Sequence, residues 1–252
     1  MRIYKDIPYI KSGNPCHFLD LYLPDGECQT LFLFFHGGGL VEGNRTNDVA
    51  IAEFTKDMTD AGIGVASAEY RLYPEARFPD FIEDAAAAVK FVKCGLSEYI
   101  SYEKLVVGGS SAGAYMTQML CFNRSYYDAV GIDPSLIDAY VHDAGQPTVH
   151  FNVLNERGLD SRRIIVDEAA PIYHVGAEDY PPMLFIISDN DIENRLEETE
   201  LLIGTIRRFG NDMSKVTLKK TSGNHVWYTK AIYKDGKSEY ANLIIPFIKN
   251  AF

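Results

Sequence analysis

The stretch LVVGGSSAGAYMTQML at residues 105–120 decides the fold. It opens with a β-prone apolar run at 105–107, passes through Gly-x-Ser-x-Gly at 109–113, and closes with seven residues that suit a helix. A tight turn from strand to helix lifts the serine hydroxyl above a sheet, and the flanking glycines remove Cβ clashes. We therefore predict that Ser111 is a nucleophile. The alternative is a glycine-rich turn in which the serine is incidental.

On both sides of this turn, short apolar runs alternate with amphipathic stretches, which predicts an α/β fold with a mostly parallel sheet. An antiparallel hairpin is expected at the start of the chain, from 8–10 and 17–23. The other expected strands are 31–35, 63–68, 105–107, 137–141, 183–187 and 216–220. The expected helices are 47–61, 81–92, one after Ser111, 193–209 and 239–249.

Residues 144–182 do not fit the alternation, because they are rich in Gly, Pro, Asp and His and only weakly periodic. A segment of this length inside a domain usually carries function or small elements of its own. We expect a single domain over 1–252, in which 144–182 is an insertion that acts as a short cap over one end of the sheet. Aromatic residues that could wall a substrate pocket are Phe151, Tyr173, Tyr180 and Trp227.

A second glycine-rich motif, His36-Gly-Gly-Gly, follows the expected strand at 31–35. A loop with so few side chains lets backbone N–H groups point at a substrate oxygen that becomes negatively charged. Gly38 and Gly39, together with the N–H of Ala112, are the predicted oxyanion hole. The alternative is a merely flexible loop. His36 is expected to hold this loop in place rather than carry protons.

A hydroxyl nucleophile needs a base, and the base needs an orienting carboxylate. Of the six histidines, His225 follows the last expected strand on a short glycine-bearing loop, and His142, which ends a strand, is the second choice. For the carboxylate we prefer Asp191 to Asp189, because it lies further round the turn after the strand at 183–187. Asp189 or Glu193 could instead cap the following helix.

Composition excludes several classes of protein. The 24 Lys and Arg against 35 Asp and Glu give a net charge of −11, so no basic stripe exists for nucleic acid. The longest uncharged apolar run, 31–35, is far too short to span a membrane, and the N-terminal residues show no signal-peptide pattern. Four scattered cysteines are expected to be free thiols in the cytoplasm. We predict neither a cofactor nor a metal, since the histidines lack ligand spacing.

The motifs together resemble the α/β-hydrolase superfamily, and within it the hormone-sensitive-lipase-like and compact acetyl-esterase-like carboxylesterases. They are HGGG at 36–39, EYRLYPEARFP at 69–79, GGSSAGA at 108–114, and the SDND and GNH turns. The resemblance implies the triad Ser111, Asp191 and His225 and the oxyanion groups named above. Ser110 departs from the family, whose members often carry Asp there. Within 69–79 we expect Arg71 to pair with Glu75 in a structural role.

The expected activity is hydrolysis of small or short-acyl esters, with acetylated sugars as an attractive class, through an acyl-enzyme. This expectation of small substrates rests on the few residues left for a cap. The alternatives are another serine hydrolase, such as an arylformamidase or a peptidase, and a ligand-binding relative without catalysis. The expected partner is a small-molecule ester, and a homo-oligomer is possible.

Overall fold

Eight strands and seven α-helices form in the part of the chain that the computed structural model describes, residues 1–47 and 49–252. The strands are β1 (Arg2–Pro8), β2 (Phe18–Leu23), β3 (Thr30–Phe35), β4 (Ile63–Ala68), β5 (Lys104–Ser110), β6 (Ala139–Asp143), β7 (Met183–Asn190) and β8 (Val216–Asn224). The helices are α1 (Ile51–Asp60), α2 (Asp80–Gly95), α3 (Ala112–Phe122), α4 (Ser125–Val130), α5 (Phe151–Glu156), α6 (Arg195–Arg208) and α7 (Glu239–Ala251).

The strands join one sheet in the order β1-β2-β4-β3-β5-β6-β7-β8. β3 to β8 pair in parallel, whereas β2 runs antiparallel to both β1 and β4. The mostly parallel sheet is therefore confirmed, and so is an antiparallel hairpin at the start of the chain. The first strand of this hairpin is Arg2–Pro8 rather than the expected 8–10. The helix expected over 47–61 begins at Ile51, and Asp48 lies outside the described residues.

The central strands are apolar throughout because helices cover both faces of the sheet. Leu33, Phe35 and Val107 point into the core cluster that includes α2 and α3. Phe32 and Phe34 point the other way, into a cluster with α1 and α7. Since the strands β3 to β8 are parallel, the loops that follow them meet at one edge of the sheet, which is where open α/β sheets bind ligands.

The stretch 144–182 has elements of its own, α5 and a short 3₁₀ turn at Pro171–His174. Val153 and Leu154 of α5 are fully buried in the core, and Tyr115 of α3 donates a hydrogen bond to the Ala169 carbonyl at 2.7 Å. The insertion is therefore packed against α3 and the core rather than loosely attached.

The expected pairing of Arg71 with Glu75 is wrong. The Arg71 guanidinium donates two hydrogen bonds of 2.8 Å to the carboxylate of Asp84 in α2, and the Arg71 N–H donates a third. Asp84 is buried, whereas Glu75 is exposed. A buried carboxylate needs a charged partner more than a solvated one does, so α2 takes the arginine.

Candidate active site

The serine turn, residues 109–113, joins β5 to α3 by a strained backbone. Ser111 has φ 52° and ψ −110°, a conformation that L-residues rarely adopt. The Ser111 N–H donates to the Asp143 carbonyl at 2.7 Å, which holds the turn against β6. Gly113 is required by close approach, because a Cβ there would lie 2.1 Å from the Phe35 carbonyl oxygen. Strand, turn and helix thus project the Ser111 side chain from the sheet edge.

Three of the predicted residues lie in a hydrogen-bonded line. The Nε2 atom of His225 is 2.8 Å from Ser111 Oγ, and its Nδ1 atom is 2.6 Å from Asp191 Oδ1. The Asp191 side chain is 1% exposed and that of His225 is 22% exposed. With Nδ1–H donating to the carboxylate, Nε2 is left to accept the serine proton. The loops after β5, β7 and β8 supply one residue each, as the sequence predicts.

The other candidate carboxylates, Asp189 and Glu193, do not contact the ring of His225. Asp189 is exposed and accepts a hydrogen bond of 2.9 Å from the Gly223 N–H, and this bond lowers the pKa of the Asp189 carboxyl. Neither Asp189 nor Glu193 caps α6, because Asn194 occupies the N-cap position without a side-chain hydrogen bond. Asp189 therefore stabilises the turn that precedes His225 rather than contacting its ring.

The second-choice base, His142, is fully buried among aromatic side chains of the core that includes α3. Its ring stacks on Tyr140, and its Nδ1 atom is 2.9 Å from Thr117 Oγ1. Burial lowers the pKa of His142 to about 3, so the ring stays neutral. It packs within the core, away from the line formed by Ser111, His225 and Asp191.

The glycine loop, residues 36–39, lies beside the serine turn. Gly38 has φ +101°, and a Cβ there would lie 2.0 Å from the Glu42 carbonyl oxygen, so only glycine fits. The Asn152 side chain of α5 donates to the Gly39 carbonyl at 2.6 Å. Ala112 is the first residue of α3, and N–H groups at a helix start have no acceptor within the helix. The three predicted oxyanion donors thus lie on the two backbone segments that flank Ser111.

Buried side chains hold the glycine loop from below. The Nε2 atom of His36 is 2.8 Å from Glu69 Oε1, and the Tyr70 hydroxyl donates to the His36 carbonyl at 2.8 Å. Arg45 lies 3.3 Å from the other Glu69 oxygen and 3.0 Å from Asp20. His36 is fully buried, and these contacts support the structural role predicted for it.

A cavity of about 350 Å³ opens over Ser111. Its walls include Phe151 and Asn152 from the insertion and Ile192 next to Asp191. A neighbouring cavity of about 320 Å³ shares Phe151 and Ile192, and most of its other lining residues have polar side chains. Among the aromatic residues singled out in the sequence, Phe151 is the one that lines the cavity over Ser111. Asn152 and Ile192 carry no recognisable sequence signal, since their positions depend on the folding of loops.

Within residues 1–47 and 49–252, no group of three or more His, Cys, Asp or Glu side chains is arranged to hold a metal ion. No helix in this part of the chain combines the length and apolar character needed to cross a bilayer. The four cysteines are free thiols.

This sheet order, with a serine turn after β5 and a histidine loop after β8, defines the α/β-hydrolase fold. The chain belongs to the BD-FAE family, whose model matches residues 19–205. Among solved structures, it is similar to a truncated carbohydrate esterase from gut microbiota, with a TM-score of 0.77 and 19% identity over 100% of this chain and 96% of the other. An esterase of the archaeon Pyrobaculum calidifontis gives a TM-score of 0.74 and 20% identity over 99% of this chain and 85% of the other. At these identities the likeness establishes the fold.

A curated relative is the acetyl esterase of Salmonella schwarzengrund, 33% identical over 97 residues. This match spans 38% of the present chain and 29% of the length of the acetyl esterase. The match therefore relates one segment of this chain to one segment of the acetyl esterase.

Proposed function

We propose that this protein is a serine carboxylesterase that hydrolyses small, short-acyl esters. The observation that carries the proposal is the placement of His225 within hydrogen-bond distance of both Ser111 and Asp191. Membership of the BD-FAE family supports it, as do the esterase names of the acetyl esterase and of the structural neighbours. In the proposed roles, Ser111 is the nucleophile, His225 the general base and Asp191 the group that orients the base.

In the first half-reaction, the Ser111 oxygen attacks the ester carbonyl carbon while its proton passes to His225 Nε2. The tetrahedral intermediate collapses when the imidazolium returns this proton to the leaving alcohol oxygen, which leaves an acyl-serine. In the second, His225 takes a proton from water, the hydroxide attacks the acyl carbonyl, and Ser111 leaves with the proton. The side chains and water carry every proton, and the products are one alcohol and one acid.

The negative charge of each intermediate develops on the former carbonyl oxygen. We assign its stabilisation to the N–H groups of Gly38, Gly39 and Ala112, which belong to the glycine loop and to the start of α3. Donors of this kind are fixed by the fold before the reaction begins, and losing one typically costs about 10²- to 10³-fold in kcat. The contacts of His36 with Glu69 and of Asn152 with Gly39 keep the loop rigid for this task.

The proposed substrates are small because the cavity over Ser111 has a volume of only about 350 Å³ and Phe151 and Ile192 line it. We further propose that 144–182 acts as the cap of a single catalytic domain, since α5 supplies that wall. Beyond the wall, the neighbouring cavity is lined by polar side chains such as Arg162, Arg163 and Glu198, which can form hydrogen bonds with the hydroxyls of a sugar. Acetylated sugars are therefore the proposed class, and the carbohydrate esterase among the structural neighbours supports this choice.

The test of the catalytic role is labelling and turnover. Purified protein is incubated with an ethyl p-nitrophenyl phosphonate, and release of p-nitrophenol and the mass of the adduct are measured. We expect one phosphonate per chain on Ser111, and we expect Ser111→Ala to lose both labelling and turnover of p-nitrophenyl acetate. Ser101→Ala, an exposed serine outside the site, is the matched control. Wild-type turnover by Ser111→Ala would overturn the proposal.

The test of the substrate class is a panel compared by kcat/KM. It contains p-nitrophenyl acetate, butyrate and octanoate, acetylated xylose, N-formylkynurenine and a peptide p-nitroanilide. We expect the acetate esters to be best and the octanoate to be poor. A preference for the formamide or the anilide would instead favour arylformamidase or peptidase activity on the same triad.

A further inference from the structure

A carboxyl group lies buried directly beneath the catalytic line. Asp143, the last residue of β6, is fully buried, and no Lys, Arg or His side chain in the described residues forms an ion pair with it. The groups that face its carboxyl are the hydroxyls of Ser110 in β5, Tyr228 after β8 and Tyr240 in α7, and the carboxylate of Asp191 after β7. Burying such a group is costly unless its neighbours form hydrogen bonds with it.

Asp143 contacts the backbone of Ser111 directly and the loop of His225 through Tyr228. Its backbone carbonyl accepts the Ser111 N–H at 2.7 Å, and its side-chain Oδ1 accepts a hydrogen bond from the Tyr228 hydroxyl. Tyr228 stands three residues after His225, within the short 3₁₀ turn Trp227–Thr229. One residue therefore ties the turn that carries the nucleophile to the loop that carries the base.

The Tyr228 end of this link is held in place by packing in the core. Tyr228 is fully buried and stacks on Tyr240 of α7, with ring centroids 6.1 Å apart. Val226, between His225 and Tyr228, has φ 47°, so the chain reverses sharply there. Because this reversal is anchored through the Tyr228 hydroxyl, removing the hydroxyl releases the loop next to His225 and leaves the distant core intact.

Hydroxyl groups, rather than a cation, surround the Asp143 carboxyl. Burial is the main cause that raises its pKa, to about 7; the hydroxyls of Tyr228 and Ser110 oppose this rise, and the Asp191 carboxylate adds to it.

We propose that Asp143 is a positioning residue that sets the distance between Ser111 and His225 through Tyr228. The inference rests on the proposed function, because it assigns a role toward that same base. The family resemblance leads one to expect an acid at position 110, next to the nucleophile, where this chain has Ser110. In this chain the acid is instead Asp143 of the neighbouring strand β6, which pairs with Ser110.

The experiment compares Tyr228→Phe with Tyr127→Phe, using p-nitrophenyl acetate. Tyr127 is an equally buried tyrosine whose hydroxyl bonds to Tyr140 at 2.8 Å, away from the site, so it controls for the loss of a buried hydroxyl. We expect Tyr228→Phe to lower kcat by about 10- to 100-fold with KM nearly unchanged, since small misplacements of catalytic groups cost this much. Equal kcat values for the two variants would overturn the positioning role.

The other end of the link is tested with two Asp143 variants. Asp143→Asn retains an acceptor for the Tyr228 hydroxyl, whereas Asp143→Leu removes it. We expect Asp143→Asn to keep kcat within a few-fold of the wild type and Asp143→Leu to lower it as Tyr228→Phe does, with KM nearly unchanged. Equal kcat values for the two Asp143 variants would overturn the positioning role, and this comparison stands even if Tyr228→Phe fails to fold.

Failure of the proposed function gives a different result. If the wild-type protein neither takes up phosphonate at Ser111 nor turns over any ester, the esterase proposal fails before the variants are compared. If the wild type is active and phosphonate titration shows equal active-site content in all variants, the comparison of kcat values tests Asp143 alone.

Discussion

Substitution of Gly113 by alanine tests whether the close approach of α3 to β3 positions the nucleophile. The new Cβ would lie 2.1 Å from the Phe35 carbonyl oxygen and 2.7 Å from that of His36. Both are backbone atoms in a fully buried strand and its loop, so neither can rotate away. Van der Waals contact requires the start of α3 to retreat by about 1 Å. Ser111, two residues earlier, would then move out of hydrogen-bond distance of His225.

The size of the effect follows from this displacement. A 1 Å misplacement costs about 10²-fold in rate, and overpacking of this kind typically destabilises a protein by about 1–3 kcal/mol. For a chain of this size the Tm should fall by about 2–4 °C for each kcal/mol. We therefore expect Gly113→Ala to remain folded, with kcat for p-nitrophenyl acetate reduced about 100-fold and KM changed little.

The matched control is Gly204→Ala in α6, where a Cβ meets no atom within 4 Å. Alanine within a helix is more favourable than glycine by roughly 0.5–1 kcal/mol, so this variant should be slightly more stable and fully active. Active-site titration corrects for misfolded protein. The reasoning is refuted if correctly folded Gly113→Ala has the kcat of the wild type, because the backbone contact would then not position Ser111.

Three further predictions concern single side chains. Asp191→Asn should lower kcat by about 10⁴-fold, as loss of the orienting carboxylate does in other triads. Asp189→Asn should leave kcat within a few-fold of the wild type. Similar losses of kcat in the two variants, measured in steady-state assays, would contradict the assignment of Asp191 as the orienting carboxylate. Phe151→Ala should raise kcat/KM for octanoate relative to acetate by about 10-fold, since removing the wall admits a longer acyl chain; an unchanged ratio would argue against this wall. Burial raises the pKa of Asp143 from 3.8 to about 7. Between these pH values the folded protein keeps a proton that the unfolded chain has lost. The free energy of unfolding therefore falls as pH rises through this range. By differential scanning fluorimetry, Asp143→Asn should therefore gain Tm relative to the wild type between pH 4.5 and pH 7.5, and a constant difference would count against this ionisation.

Much of the site could be predicted because its groups lie at strand ends, which periodicity locates well. Ser111 stands between a β-prone run and a helix former, and His225 follows the last strand, so the parallel sheet brings their loops together. The choice of Asp191 over Asp189 depended on which carboxylate could turn back toward His225 from the turn after β7. The predicted fold also matches the structure, since short apolar runs that alternate with amphipathic stretches permit few arrangements of strands and helices.

The remaining features depend on pairing between distant residues, which one sequence does not encode in a pattern. Arg71 pairs with Asp84 because α2 brings that carboxylate into the core, whereas Glu75, closer in sequence, stays in water. The link of Asp143 to Tyr228 joins residues 85 positions apart. Both depend on burial, and burial of a polar side chain is known only after the elements have packed.

The short helix α5 couples substrate size to the chemistry of the site. Its first residue, Phe151, walls the cavity, and its second, Asn152, donates to the Gly39 carbonyl in the glycine loop. His150 fixes where the helix begins, because its Nδ1 atom accepts the Asn152 N–H at 3.2 Å, and burial lowers the pKa of this histidine so that it stays a neutral acceptor. An acyl group that displaces Phe151 must therefore disturb the proposed oxyanion hole. On this arrangement, long acyl chains lose kcat as well as affinity, so selection for short chains operates in the transition state and not by exclusion alone.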